Sequence, residues 1–167
     1  EYVLISQDTL YMIQALQSLG VSIRKVAEGT YDIVGCNGEF KPHHAHTDIY
    51  IGDSGTCLRF LLSAISVCVQ PGYVVYVRGS PTLMKRPLGE LYNTLKNQMN
   101  LNIERHEDDD ADKHVSYVIS APSPQSLLTG EEICVDTDTS SQFLSSLLMC
   151  MPFLPTDMVI KTYGTPV

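Results

Sequence analysis

The sequence predicts an α/β (α+β) domain built inside out, with buried helices and outward-facing sheets. Three observations carry this. Residues 57–69 and 144–153 are apolar almost all round and too short to cross a membrane, so each reads as a helix buried on every side. The strand-like segments alternate instead: Ile23 against Arg24, and Val115 and Tyr117 against Ser116. The order helix, hairpin, short strand, apolar helix, strand then occurs twice, at a period of roughly 80 residues. Helices inside half-exposed sheets reverse the layering of a doubly wound fold. Three such units would close into a prism around their own helices. Residues 1–167 hold two, and so read as one partial domain.

Each element has a local reason. Asp8 and Thr9 precede a helix over 10–19, where Met12, Ala15, Leu16 and Leu19 fall at helical spacing. Gly20 suits the position just past its end. Residues 21–27 alternate as a strand, a turn at Glu28-Gly29 or Gly29-Thr30 follows, and 31–34 return. After an irregular stretch with Gly38 and Pro42, residues 49–51 form a short strand. Gly52-Asp53-Ser54-Gly55-Thr56 opens the first buried helix, and Pro71-Gly72 ends it. A strand over 73–77 and a loop at Gly79-Ser80-Pro81 lead to a third helix over 88–99, with Pro87 in its first turn. Strands over 101–105 and 115–119 flank an acidic run. A strand over 133–135, the second buried helix from Ser140 and a strand over 158–162 complete the order.

Composition excludes several classes. The net charge of −8 argues against a nucleic-acid partner. No apolar run reaches membrane-spanning length, so no membrane partner is expected either. Much of the acid lies in 104–112, which reads as a solvated loop. Basic residues are sparse, with Arg78, Lys85 and Arg86 close together and Arg59 the only other base between Lys41 and Lys96. The cysteines show no C-x-x-C spacing. Cys57, Cys68 and Cys150 lie in apolar runs and read as reduced core residues of a reducing, cytoplasmic compartment. His43, His44 and His46 sit in a Pro-containing loop with only Asp48 near them, so no metal is expected there. The N-terminus has neither an initiator Met nor a signal-peptide pattern, and the chain reads as part of a longer one.

The start of the second buried helix is the functional candidate. Asp136, Thr137, Asp138 and Thr139 supply capping oxygens, and Ser140 and Ser141 place two hydroxyls where backbone N–H groups are unpaired. Orphan donors, hydroxyls and the positive end of a helix dipole together suit an anion. The pattern recurs: Thr56-Cys57-Leu58-Arg59-Phe60-Leu61 lines up with Thr139-Ser140-Ser141-Gln142-Phe143-Leu144.

These stretches resemble the 5-enolpyruvylshikimate-3-phosphate synthases, a family of enolpyruvyl transferases. Gly52-Asp53-Ser54-Gly55-Thr56-Cys57-Leu58-Arg59 is similar to its G-N-[SA]-G-T-x-x-R stretch. Met84-Lys85-Arg86-Pro87-Leu88 resembles the end of its M-x-x-R-P-[IL] stretch, with Leu83 in place of the leading Met. Ser140-Ser141-Gln142-Phe143-Leu144-Ser145-Ser146-Leu147-Leu148-Met149 resembles its S-S-Q-[FY]-x-[ST]-[AS]-L-L-M stretch. The resemblance implies two domains of βαβαββ units that close over shikimate 3-phosphate and phosphoenolpyruvate, in the shikimate pathway of aromatic amino acid biosynthesis. The present chain would be most of one domain, with the other domain as its partner.

By the same resemblance, Gly55, Thr56, Arg86 and Gln142 would hold phosphoenolpyruvate. Ser140, Ser141 and Gln142 would hold shikimate 3-phosphate. No catalytic acid or base is expected within 1–167, no cofactor or metal is implied, and the chain alone is expected to be inactive. Asp53 stands where the family has Asn, and Thr82 replaces a family Arg. Two other readings remain at this point: UDP-N-acetylglucosamine enolpyruvyl transferase, which shares the fold but lacks the Ser-Ser-Gln shelf, and a non-catalytic binding or scaffold relative.

Overall fold

A computed structural model describes residues 2–86, 88–107, 115–123 and 132–164. Helix α1 spans Gln7–Ser18, and the hairpin β1–β2 pairs Ser22–Ala27 with Thr30–Val34. Strand β3, His46–Tyr50, leads into helix α2, Gly55–Cys68, and then strand β4, Val74–Arg78. Two short helices follow, α3 at Pro81–Met84 and α4 at Gly89–Asn93. Strands β5, Ile103–Glu107, and β6, Val115–Ser120, precede β7, Glu132–Asp136. Helix α5, Ser141–Cys150, and strand β8, Val159–Tyr163, complete the order. The described strands form three sheets, β1-β2, β3-β4-β6-β5 and β7-β8.

Helix α1 begins earlier than the sequence pattern indicates. Ser6 is the cap, not Asp8 or Thr9. Its Oγ accepts from the Thr9 N–H at 3.3 Å, and the Thr9 hydroxyl accepts from the Ser6 N–H at 2.9 Å. Thr9, which looks like a cap in the sequence, is the third residue of the helix closing a capping box. At the other end Gly20 has φ +92°, and a Cβ there would lie 2.3 Å from the Lys41 carbonyl oxygen. Only glycine fits that crossing.

Helix α2 is the centre of the core. Cys57, Leu58, Leu61, Leu62, Ile65 and Val67 are all buried, as expected for a helix wrapped on every side. Strands β3 and β4 run parallel on either side of it in sequence, and their alternation places Thr47, Ile49, Val75 and Val77 inward. Strand β6 adds Tyr117 and Ile119 from the same sheet. An apolar cavity of about 460 Å³ opens beside α2, with Leu16, Phe40, Phe60 and Cys150 in its lining. Burial pushes the thiols of Cys68 and Cys150, both on this cavity, up to about 11 and about 12, so both stay protonated in the core.

Helix α5 corrects the expectation of two fully wrapped helices. Phe143, Ser146, Leu147 and Cys150 are buried, but Leu148 is 54% and Met149 66% exposed. Among the described residues α5 packs mainly on α2 and β7, which leaves these two side chains exposed. A second correction concerns the single helix expected over 88–99. Helix α4 gives way to a π-helical stretch, Thr94–Gln98, where the Met99 N–H reaches back to the Thr94 carbonyl at 2.9 Å. Leu91, Leu95 and Met99 recur every four residues, more than one α turn. The wider turn keeps all of them buried. Pro87, expected in the first turn, lies outside the described residues. Helix α3 stands where a loop was expected, and β5 takes the first part of the acidic run; residues 108–112 lie outside the described residues.

Helices α2 and α5 meet through equivalent positions. Ser63 and Ser146, both fully buried, share a hydrogen bond of 2.9 Å across a separation of 83 residues. Arg59 and Gln142 are joined across the same separation. Two links in the same order make the helices parallel and level, so their N-termini emerge together.

The uneven burial of α5 has a measurable consequence. Phe143→Ala should cost about 3–5 kcal/mol in urea unfolding. Met149→Ala, on the same helix, should stay within about 0.5 kcal/mol. Equal costs would contradict the one-sided packing.

Candidate functional site: an anion pocket at paired helix starts

Three segments reach one end of the α2–α5 pair. The first is the start of α2, where Ser54 caps the helix by accepting from the Cys57 N–H at 3.2 Å. The second is the start of α5. Ser140 lies in extended backbone there, and its Oγ accepts from the Gln142 N–H at 3.2 Å. Having accepted, the Ser140 hydroxyl keeps its own proton to donate. The Ser141 N–H, first of the helix, has no intrahelical acceptor.

The third segment carries Arg86. Its return to the start of α2 follows from the Gly79-Ser80 loop. The Ser80 N–H donates to the Gly52 carbonyl at 2.8 Å, and the Ser80 hydroxyl donates to Asp53. Ser80 also caps α3, accepting from the Leu83 N–H at 3.1 Å, and the Arg86 N–H closes the following turn on the Leu83 carbonyl at 3.0 Å. Asp53, which stands where the family has Asn, thus turns toward the loop that holds Arg86.

Gly55 is the meeting point. A Cβ built there would lie 3.3 Å from Nη1 of Arg59 and 3.3 Å from Nη1 of Arg86. The absence of a side chain lets both guanidinium groups approach the helix start. Arg59 Nη1 donates to Gln142 Oε1 at 2.7 Å, and its Cζ sits 5.7 Å from the centroid of the Phe143 ring. Gln142 Nε2 in turn reaches Thr56 Oγ1 at 3.4 Å. Burial, and then the charge of Arg86, push the Arg59 guanidinium below its usual pKa.

The charge balance is unusual for this chain. Arg24, Lys25, Lys41, Arg78, Lys96, Arg105 and Lys161 each pair with a carboxylate. Arg59, Lys85 and Arg86 make no ion pair among the described residues, and of these Arg59 and Arg86 meet at Gly55. In a molecule with 19 acidic side chains, two adjacent guanidiniums without a carboxylate form a site that favours an added anion.

The structure therefore brings Gly55, Thr56, Arg86, Ser140 and Gln142 to one end, with Ser141 opening α5 beside them. Sequence reasoning noted Arg59 only as part of a motif and gave it no role. Two signals were present: it lies one turn after Gly55, and it is the repeat equivalent of Gln142. His43, His44 and His46 are exposed, and the described residues hold no cluster of three metal-binding side chains. Thr82 is exposed on α3. The apolar cavity beside α2 reaches this end through Thr56, but neither Arg59 nor Arg86 is in its lining.

A sequence model described as EPSP synthase (3-phosphoshikimate 1-carboxyvinyltransferase) matches residues 1–165. The chain belongs to the EPSP synthase family. Curated relatives named 3-phosphoshikimate 1-carboxyvinyltransferase agree. The protein from Methanosphaerula palustris is 34% identical, over 98% of this chain and 36% of its own length. Those from Paraburkholderia phytofirmans and Escherichia coli are each 32% identical, over 94% and 95% of this chain and 33% and 34% of their own. Two solved EPSP synthase structures from Acinetobacter baumannii share the fold, with TM-scores of 0.70 and 0.71 at 21% and 23% identity. Each match covers 98% of this chain and 34% or 35% of theirs. The chain spans about a third of the length of the relatives it matches.

Gly55 offers a direct test of the geometry. Gly55→Ala should fold normally, because its Cβ meets only the ends of flexible side chains. It should weaken the response of the backbone amides at 54–57 to inorganic phosphate several-fold, read by nuclear magnetic resonance titration. An unchanged response would separate Gly55 from the anion pocket.

Proposed function

We propose that this chain forms most of one lobe of an enzyme that transfers the enolpyruvyl group of phosphoenolpyruvate to the 5-hydroxyl of shikimate 3-phosphate, releasing phosphate. The carrying observation is the pair of guanidiniums without carboxylates, meeting over Gly55 at the start of two parallel helices. The names of the curated relatives support the reaction class. The lobe is one partial domain of two repeats, a second lobe of the same enzyme completes the site, and the enzyme works in the cytoplasm.

In this reading Arg86 grips the phosphate of phosphoenolpyruvate with its planar fork, and Gly55 and Thr56 let that phosphate reach the start of α2. Ser140 and Ser141 bind the 3-phosphate of the acceptor through hydroxyls and the first N–H groups of α5. Gln142 lies between the two and contacts both. The acceptor hydroxyl adds to C2 of the enolpyruvyl group while C3 takes a proton. The tetrahedral adduct then loses phosphate, and C3 gives a proton back. The chain's part is to neutralise anions in a closing cleft, where fixed donors act most strongly. Proton transfer needs a group near C3, and no residue assigned to the pocket from this chain fits that role.

Two outcomes are expected. Arg86→Ala and Ser140→Ala should each reduce phosphate-induced shifts without unfolding the chain, although Ser140→Ala also loses a helix cap worth about 1 kcal/mol. Loss of neither response would place the anion elsewhere. The 167-residue chain given both substrates should release phosphate no faster than a protein-free control. Turnover well above that control would mean that the chain holds the acid–base group itself.

A further inference from the structure

We propose that Arg59 is a positioning residue that fixes which way the Gln142 amide faces and so makes Gln142 a donor to the bound anion. The inference rests on the functional reading above. An amide side chain can turn either its oxygen or its nitrogen toward a neighbour. Here the neighbour settles the choice. A guanidinium carries five N–H donors and no acceptor, so the atom 2.7 Å from Arg59 Nη1 must be the Gln142 oxygen. The amide nitrogen then faces Thr56, whose Oγ1 is 3.4 Å away and takes one of its two protons. The second proton has no acceptor among the described residues.

The guanidinium is held as firmly as the amide it holds. Arg59 lies against the Phe143 ring, on the residue next to Gln142, so ring and amide reach it from one turn of α5. Its Nε is buried without a hydrogen-bond partner, so the ring contact and the Nη1 bond to Gln142 set its place. Arg86 approaches Gly55 as closely as Arg59 does, but the structure gives it no contact with Gln142. The two arginines therefore divide the work: Arg86 faces the anion, and Arg59 orients the amide that also faces it. Without Arg59 the amide is free to turn its oxygen toward the anion, where two acceptors repel.

A double-mutant cycle separates this role from simple loss of charge. The probe is inorganic phosphate, titrated into the 167-residue chain by nuclear magnetic resonance. Arg59→Met should weaken phosphate binding about tenfold in the otherwise unaltered chain, the effect of one charge-linked hydrogen bond. In a Gln142→Met background the same change should cost less than about twofold, because the amide it orients is gone. Equal costs in both backgrounds would overturn the assignment and make Arg59 a direct anion contact. If Arg59→Met fails to fold, the unaltered chain still decides the question. Its Gln142 amide protons should show a stronger nuclear Overhauser contact to the Thr56 methyl than to the Arg59 guanidinium. The reverse order overturns the proposal. No phosphate response anywhere in the unaltered chain overturns the functional reading, and this assignment with it. A response with the wrong coupling overturns this assignment alone.

Discussion

The hydrogen bond between Ser63 and Ser146 joins two fully buried hydroxyls between α2 and α5, one turn from the Arg59–Gln142 contact. A hydroxyl buried there without a partner costs about 1–3 kcal/mol, and each serine is satisfied by the other and by a carbonyl of its own helix, the Ser63 hydroxyl reaching the Arg59 carbonyl at 3.4 Å. The Ser146 hydroxyl also donates to the Phe143 carbonyl at 2.9 Å, which ties the pair to its own helix. The bond sets the height at which α5 lies beside α2. One turn nearer the N-termini, that same height puts Arg59 opposite Gln142. A one-residue slip would break this bond and the arginine–glutamine contact together.

Level, parallel helices have an electrostatic consequence. Their positive ends lie side by side, and like ends repel. Arg59 and Arg86 add two more positive groups at the same place, and each lacks a carboxylate among the described residues. A folded chain of net charge −8 had ample acid available to neutralise them. Its acids are used elsewhere, on exposed pairs such as Arg24–Asp32 and Lys161–Glu132, which contribute little to stability. Asp53 is the acid nearest Arg59 in sequence, and Ser80 holds it in a contact that shapes the Arg86 loop. The site is thus left positively charged, and an anion is the natural way to relieve it.

The wrapping of α2 and the exposure of Leu148 and Met149 on α5 are two sides of one arrangement. Helix α2 has α1, α5 and the four-stranded sheet around it. Helix α5 has α2 and the two-stranded β7–β8 pair, and its outer face remains open among the described residues. The sequence does not distinguish the two, because both helices are equally apolar around their circumference. Periodicity reports how much surface a helix is able to bury, not how many neighbours arrive to bury it.

Sequence alone determined the class of fold, the internal equivalence of the two apolar helices and the residue types at their starts. These depend on local rules: alternation marks a half-exposed strand, apolar residues all round mark a central helix, and Ser beside Gly marks a helix start. Local rules also misled. Thr9 looked like a cap and is the far half of a capping box begun by Ser6, and 88–99 looked like one helix but widens into a π turn. The first follows from two hydrogen bonds between residues three apart, Ser6 and Thr9, and the second from burying Leu91, Leu95 and Met99 together. The tertiary structure alone decided that Arg59 and Arg86 meet over Gly55, that Asp53 turns to Ser80, and that Gln142 faces its oxygen to an arginine 83 positions away. Each of these is a contact between segments distant in the chain. Its geometry is set by how α2 and α5 pack, and packing depends on the whole core at once.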